Sequence, residues 1–300
     1  MESALRQTYP DVEVIIGDDS PDTESLDRVA PLLAQRPRRV EYVKNDPPLG
    51  QVDNVNRLFG MARGDRLVLL HDDDVLLPDA LQRLNEAWTQ DTVIAFGTQQ
   101  MISADGMLLP DETSILNDTY YRMPRDAHVQ SAALESALLQ RIPNDGFMVK
   151  TVAAQATGYR HESDVGVYCD LDFNLRLTAT GQWGRAVFID SFVSQYRLSE
   201  DSISGSIVAH RYEHPRASVV MYEKAESLAL PRSLESARKV LLRRLAGKAV
   251  KGYALSGRRL RALRIFFSDS YPMSRRLTRR GLYHFALILS PAVERLRRYS

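Results

Sequence analysis

The chain has 300 residues, of which 44% are hydrophobic and 26% charged, and its formal net charge at pH 7 is +1. This composition fits one medium-sized globular domain with an appendage, or two small domains. A single cysteine, Cys169, excludes a disulfide framework and agrees with a reducing compartment. We expect neither a signal peptide nor a membrane span, because no signal-peptide pattern is visible and the apolar runs are too short to span a bilayer.

The first 90 residues alternate strand and helix patterns. Strands are predicted over residues 12–17, 40–43 and 67–70, where apolar and β-branched residues cluster. Helices are predicted over 25–35 and 51–62, where apolar residues recur at helical spacing. Alternation of this kind is typical of a parallel sheet with helices on its faces.

The third predicted strand ends in three consecutive carboxylates, Asp72, Asp73 and Asp74. Neighbouring like charges raise the pKa of a carboxyl group, and a hard divalent cation such as Mg²⁺ or Mn²⁺ would remove that penalty. A solvated turn before a helix is the alternative. The first strand also ends in acids, Asp18 and Asp19. In a parallel sheet both clusters would face one edge, which favours a ligand-binding crevice there.

Beyond this region, strands are predicted over 92–102, 146–150 and 186–189, and the chain is almost all helix from His210 onward. The predicted fold class is therefore α/β, with a mostly parallel sheet flanked by helices and a C-terminal helical region. The predicted domains are residues 1–205 and 206–300.

Charge is distributed unevenly along the chain. Residues 231–300 hold 18 basic and 3 acidic residues, whereas the remainder holds 21 basic and 35 acidic ones. The acidic first region argues against a nucleic acid partner. Two interpretations fit the basic tail, in which arginines alternate with leucines. It is a helical cap with a solvated basic face, or an amphipathic surface that rests on anionic lipid; we favour the second.

Several segments, in order along the chain, resemble the family 2 glycosyltransferases, which have the GT-A fold and use nucleotide-sugar donors. The resemblance covers about residues 3–197 and is carried by residues 5–16 (LRQTYPDVEVII), 17–22 (GDDSPD), 45–56 (NDPPLGQVDNVN), 62–65 (ARGD), 71–79 (HDDDVLLPD) and 169–172 (CDLD). The resemblance implies a GT-A-like sheet, a nucleotide-sugar donor and a Mg²⁺ or Mn²⁺ ion.

The resemblance also implies roles for individual residues. Those expected to bind the nucleotide sugar are Asp18, Asp19, Ser20, Asn56 and Asp72. The expected metal ligands are Asp73, as the first choice, and His71. Asp170 is the expected general base, which takes the proton of the acceptor hydroxyl.

The implied reaction is a single displacement that inverts the anomeric centre while a nucleoside diphosphate leaves, its charge stabilised by the cation. The expected acceptor is a glycan or a lipid-linked glycan, in the synthesis of cell-surface polysaccharide or glycolipid. The expected location is cytoplasmic, including the inner face of the plasma membrane.

The chain departs from the family pattern in places. The first strand of the fold is not recognisable, so the sequence predicts an N-terminally truncated domain. His71 stands where many members have an aspartate, and Cys169 stands where an acidic residue usually precedes the base. A non-catalytic nucleotide- or glycan-binding relative is therefore the alternative. A sugar nucleotidyltransferase would want a glycine-rich, basic phosphate loop near the N-terminus, and none is visible.

Overall fold

The structure, a computed structural model, describes residues 1–35, 39–127, 130–198 and 215–290. The chain divides into two compact units. The first comprises Met1–Tyr159 and Phe173–Ser206, and the second comprises Arg160–Asp172 and Ile207–Ser300. The second unit thus takes in residues 160–172, which the sequence-based division assigned to the first domain.

The first unit contains all the described strands. They are β1 (Glu13–Asp18), β2 (Arg39–Lys44), β3 (Arg66–Val68), β4 (Val75–Leu76), β5 (Thr92–Ile102), β6 (Gln130–Ala132), β7 (Met148–Lys150) and β8 (Arg185–Arg197). The helices up to residue 179 are α1 (Glu2–Leu5), α2 (Glu24–Gln35), α3 (Gln51–Met61), α4 (Ala80–Glu86), α5 (Pro110–Thr119), α6 (Ala133–Leu138), α7 (Thr151–Thr157), α8 (Glu162–Val165) and α9 (Cys169–Ala179). Helix α8 belongs to the second unit, and α9 begins in the second unit and ends in the first.

The described strands form two separate sheets. One is the parallel pair β1–β2, and the other has the order β3-β7-β5-β8-β4, with β6 also paired to β8. In the larger sheet only β5 and β8 are parallel, whereas the other pairings are antiparallel. This mixed pairing corrects the expectation of a mostly parallel sheet. It also places the acidic ends of β1 and β3 in different sheets.

The core of the first unit lies between α4 and the large sheet. Strand β5 is buried from Thr92 to Thr98, as the near-continuous apolar sequence requires. Buried residues from the helix and four strands form one cluster: Leu76, Ala80, Leu81, Leu84, Ala95, Met148, Val187, Ile189 and Val193. This packing holds β4, β5, β7 and β8 against α4.

The second unit is helical in its described part. After α8 and the start of α9, it contains α10 (Pro215–Ser227), α11 (Glu235–Leu255), α12 (Arg259–Phe266), α13 (Met273–Arg276) and α14 (Arg279–Leu289). Helix α11 is its core, because Leu241, Ala249 and Tyr253 on it are fully buried. Gly166 packs closely against Ala217, because a Cβ added at Gly166 would come within 2.2 Å of the Ala217 Cβ. Among the residues that the structure describes, no helix is both long and apolar enough to cross a membrane.

Candidate functional site

Three side chains of the first unit converge just beyond the end of β3. One ligand atom from each of His71, Asp74 and Asp145 lies within 4.8 Å of the other two. Asp74 and Asp145 are buried, with 3% and 0% of their surface exposed, and His71 is partly buried. We call these three residues the cation cluster. Within the described part of the chain, these are the His, Cys, Asp or Glu side chains whose ligand atoms lie close enough together, three or more at a time, to hold a metal ion.

Antiparallel pairing of β3 with β7 brings Asp145 to this position. Because Val68 is the partner of Met148, the residues after β3 lie beside those before β7. The Gly146 N–H donates to the Leu69 carbonyl at 2.9 Å. Gly146 has a φ of +70°, and a Cβ there would meet the Ser194 Oγ at 2.6 Å, so the position requires glycine.

Hydrogen bonds hold Asp145 and Asp74 in place, but they leave two polar atoms of the cation cluster without a partner. Asp145 accepts from the His71 N–H at 3.2 Å and from the Gln99 amide at 3.3 Å. The Asp74 Oδ1 accepts from the Arg197 N–H at 2.7 Å. The Asp74 Oδ2 and the His71 Nε2 are buried and have no hydrogen-bond partner. Such orphaned polar atoms are uncommon in proteins and costly.

Burial, and then the charge of the nearby Asp145, raises the pKa of Asp74 to about 8. The His71 Nδ1 is 4.0 Å from the Asp74 Oδ2, which is too far for a hydrogen bond. A divalent cation would satisfy the orphaned Asp74 Oδ2 and neutralise the paired carboxylates. Carboxylate and imidazole donors suit several divalent ions, Mn²⁺ among them, and carboxylates suit Mg²⁺. The three residues therefore fit a divalent metal ion.

The sequence-predicted ligand Asp73 is not part of the cation cluster. It is partly exposed, and its backbone carbonyl accepts from the Arg197 Nε at 2.8 Å. Asp72 is exposed. Of the predicted metal ligands the structure thus brings His71 to the cluster, and it adds Asp74 and Asp145, which the sequence did not single out as ligands. The assignment of Asp73 to the metal stays a prediction.

Arg197, the last residue of β8, stabilises the turn after β3 that carries His71 and Asp74. Besides its contacts with Asp73 and Asp74, its guanidinium donates to the carbonyls of Ser103 and Ala104 at 3.1 and 2.9 Å. The turn after β3 is therefore tied to the turn after β5. Sequence reasoning missed this role, because the contacts join residues more than 90 positions apart.

The acidic turn after β1 is internally bonded. The Asp18 carboxylate accepts from the Ser20 N–H at 2.9 Å, the Ser20 hydroxyl at 2.6 Å, the Lys44 ammonium at 3.1 Å and the Tyr42 hydroxyl. Burial alone would raise the pKa of Asp18. The hydrogen bonds from Ser20, Tyr42 and Lys44 outweigh burial and hold that pKa well below its usual range.

Asp19 anchors the loop that leads into α3. Its carboxylate accepts from the N–H groups of Leu49 and Gly50, both at 2.6 Å, and from the Asn45 amide at 3.0 Å. Burial would raise the pKa of Asp19, but these donors lower it overall. The oxygens of both aspartates are thus engaged within the protein. Donor binding by Asp18, Asp19 and Ser20 stays a prediction.

The structure gives Asn56 a structural role. Its amide donates to the Tyr159 carbonyl at 3.0 Å and accepts from the Tyr159 N–H at 2.7 Å, so both ends of the side chain are occupied. Arg176 supports the same turn by donating to the carbonyls of Thr157 and Gly158 at 2.5 and 2.6 Å. The predicted contact of Asn56 with the donor stays a prediction.

The predicted base Asp170 lies in the first turn of α9, where it is partly exposed. Its neighbour Asp172 is buried and forms an ion pair with Lys224 of α10 at 2.6 Å. A second cation, Arg160, lies 3.7 Å from the same carboxylate. Asp172 therefore fastens the start of α9 within the second unit.

Comparison with known proteins shows which proteins the chain is similar to. Residues 1–139 match the family model of glycosyl transferase family 2. The resemblance predicted from the sequence is confirmed over these residues. An uncharacterized glycosyltransferase of Methanocaldococcus jannaschii is 30% identical over 83 residues, which cover 28% of this chain and 29% of that protein. Matches with the curated relatives cover only 11 to 56% of their lengths.

Solved structures show the fold of the chain. S. aureus TarS 1–349, determined in complex with UDP, has a TM-score of 0.61 at 12% identity, with 99% of this chain and 86% of that one covered. The mannosyltransferase PcManGT from Pyrobaculum calidifontis, determined with GDP-Man and Mn²⁺, has a TM-score of 0.55 at 14% identity, with 100% and 82% covered. The predicted α/β, GT-A-like fold is confirmed.

The family 2 match contains some of the candidate site and omits the rest. His71 and Asp74 lie within residues 1–139, as do the acidic turn after β1 and Asn56. Asp145, Asp170 and Arg197 lie beyond the matched residues. Their assignment rests on the structure for Asp145 and Arg197, and on the resemblance for Asp170.

Proposed function

We propose that this chain is an inverting glycosyltransferase that requires a divalent cation and uses a nucleoside diphosphate sugar as donor. The cation cluster is the observation that carries this proposal. It combines buried carboxylates and an imidazole with an orphaned carboxylate oxygen, on a chain whose first 139 residues match the family model of glycosyl transferase family 2.

The donor class is supported by the structural neighbours. TarS was determined with UDP, and the mannosyltransferase with GDP-Man and Mn²⁺. A bound Mg²⁺ or Mn²⁺ would offset the negative charge that develops on the departing diphosphate. His71, Asp74 and Asp145 would hold that ion. Asp18, Asp19, Ser20 and Asp72 are the proposed contacts to the nucleotide.

Asp170 is the proposed general base. Its carboxylate would take the proton of an acceptor hydroxyl, which is a poor nucleophile until it loses that proton. The hydroxyl oxygen then forms a bond to the anomeric carbon as the bond from that carbon to the diphosphate oxygen breaks. The products are an inverted glycoside, a nucleoside diphosphate and a proton on Asp170. One base and one displacement suffice, because no covalent sugar–enzyme intermediate is needed.

The proposed acceptor is a glycan or a lipid-linked glycan, in the synthesis of cell-surface polysaccharide or glycolipid. The proposed location is the cytoplasm, with attachment to the inner face of the plasma membrane. The balance of 18 basic to 3 acidic residues over positions 231–300 supports this location.

The experiment compares wild type with Asp170→Asn for binding and turnover of UDP-, dTDP- and GDP-sugars in Mn²⁺. We expect Asp170→Asn to lose at least ~100-fold in turnover, the usual contribution of a general base, and to keep its affinity for the donor. Asp164→Asn, an exposed acid on the same segment, is the matched control and should keep both. Donor binding without turnover in wild type would instead indicate a non-catalytic binding module.

A further inference from the structure

The second unit carries an open hollow of about 350 Å³ at the start of α12. It is lined by Gly257, Arg258, Arg259, Leu260, Arg261 and Arg264. We call it the arginine hollow. Its lining includes no acidic residue, so it presents guanidinium groups to any ligand that enters. Guanidinium binds phosphate oxygens in pairs and with defined geometry, which makes arginine a preferred phosphate contact.

Two arginines of the hollow form ion pairs within the protein that would compete only weakly with a bound phosphate. Arg258 pairs with Glu223 at 3.0 Å, and Arg261 pairs with Glu226, both on α10. The side chains of Arg258 and Glu223 are 55% and 42% exposed, and exposed ion pairs contribute little. Arg264 is exposed to solvent. Arg264 is therefore accessible to a phosphate, and Arg258 can exchange its exposed ion pair for one.

Exposed apolar side chains lie around the arginine hollow. Leu260, in its lining, is 75% exposed. Arg259 donates to the Ser290 carbonyl at 2.6 Å, and this bond brings the end of α14 beside the hollow. Leu289, the residue before Ser290, is 58% exposed.

One face of α14 continues this apolar area. Leu282, Ala286 and Leu289 follow each other at helical spacing and are all exposed. The opposite face buries Gly281, His284 and Ile288. Helix α14 thus has apolar residues on its solvent face as well as on its packed face. A solvated helix would carry polar residues there.

The part of the chain that forms this surface is strongly basic. Residues 257–290 contain eight arginines and a single acidic residue, Asp269. A soluble anion would use the arginines and leave the leucines exposed to water. An anionic bilayer would use both, because its phosphates lie directly above its acyl chains.

We propose that the arginine hollow and the exposed leucines beside it form a docking surface for a membrane of anionic phospholipid. The arginines bind headgroup phosphates, and Leu260, Leu282 and Leu289 enter the boundary with the acyl chains. This inference rests on the membrane attachment in the proposed function and names the surface and the lipid class responsible. Vesicle binding tests it without any measurement of turnover, so its failure is distinguishable from failure of the transfer reaction.

The experiment is co-sedimentation of the full chain with vesicles of phosphatidylcholine alone or with phosphatidylglycerol added. We expect binding only to the anionic vesicles, and weaker binding as salt increases. The double variant Arg259→Glu, Arg264→Glu should lower the partition coefficient by at least ~30-fold, since each basic residue near an anionic surface contributes about fivefold. Leu260→Ser with Leu289→Ser should also weaken binding.

The matched control is Arg232→Glu with Lys239→Glu, which changes net charge equally at exposed positions outside the hollow. It should retain most of the binding; an equal loss in both double variants would overturn the proposed surface. Equal binding to neutral vesicles would overturn it too. So would saturable binding of inorganic phosphate without vesicle binding, or self-association that Leu260→Ser and Leu289→Ser abolish. Thermal unfolding of each variant confirms that it is folded.

Discussion

The substitution Asn56→Ala separates a structural role of this side chain from a role in donor binding. Alanine removes the bond that Asn56 donates to the Tyr159 carbonyl at 3.0 Å and the one that it accepts from the Tyr159 N–H at 2.7 Å. Tyr159 is only 5% exposed, so water replaces these bonds poorly. Two such bonds at about 1 kcal/mol each, plus incomplete solvation of the backbone groups left behind, give a loss of about 2–3 kcal/mol.

Thermal unfolding of metal-free protein measures this loss. At about 2–4 °C per kcal/mol for a unit of this size, the melting temperature should fall by roughly 4–12 °C. Asn56→Asp keeps the acceptor for the Tyr159 N–H but sets a carboxylate oxygen against the Tyr159 carbonyl, so its melting temperature should also fall. A purely structural role predicts equal affinities for UDP in wild type and Asn56→Ala, whereas the predicted donor contact would weaken the affinity of Asn56→Ala. An unchanged melting temperature together with a weakened affinity for UDP would refute the structural role.

Three further predictions concern the turns after β1 and β3 and the turn before β7. Arg197→Ala should lower stability by about 2–4 kcal/mol in urea unfolding, because its side chain makes three charge-assisted bonds to carbonyls; an effect below ~1 kcal/mol would show that the brace is weak. Asp18→Asn should destabilise the protein at pH 7. Because the folded-state pKa of Asp18 lies below its ordinary value of 3.8, the stability difference between wild type and Asp18→Asn should be fully present above pH 3.8 and should shrink as the pH falls below it. A stability difference that does not change with pH would contradict this prediction. Gly146→Ala, at a φ of +70° and against Ser194, should lower stability by about 1–3 kcal/mol and weaken Mn²⁺ binding; retention of both would contradict the need for glycine.

The sequence predicted local features well. The strand predicted over 12–17 is β1 at Glu13–Asp18, and the helix predicted over 51–62 is α3 at Gln51–Met61. Periodicity and turn residues determine such elements within a short window. The family and the α/β, GT-A-like fold were also predicted, because the motifs that mark them are short and lie in order along the chain.

Long-range pairing is what the sequence did not predict. A parallel sheet was expected because the first 90 residues alternate strands and helices. The large sheet is mixed because β7 and β8, which come later in the chain, pair with β3, β4 and β5. For the same reason, the sequence did not single out Asp145 as a ligand. Its position in the cation cluster follows from a pairing with residues about 75 positions earlier.

The measurement that tests the central claim most directly is the titration of Mn²⁺ into chelator-treated wild type, Asp74→Asn and Asp73→Asn. The two variants remove the same charge at adjacent positions, and only Asp74 belongs to the cation cluster. We expect Asp74→Asn to weaken Mn²⁺ binding by at least about tenfold and Asp73→Asn to leave it within about threefold of wild type. Loss of binding in Asp73→Asn with retention in Asp74→Asn, or no binding of Mn²⁺ to wild type, would contradict the assignment of the site.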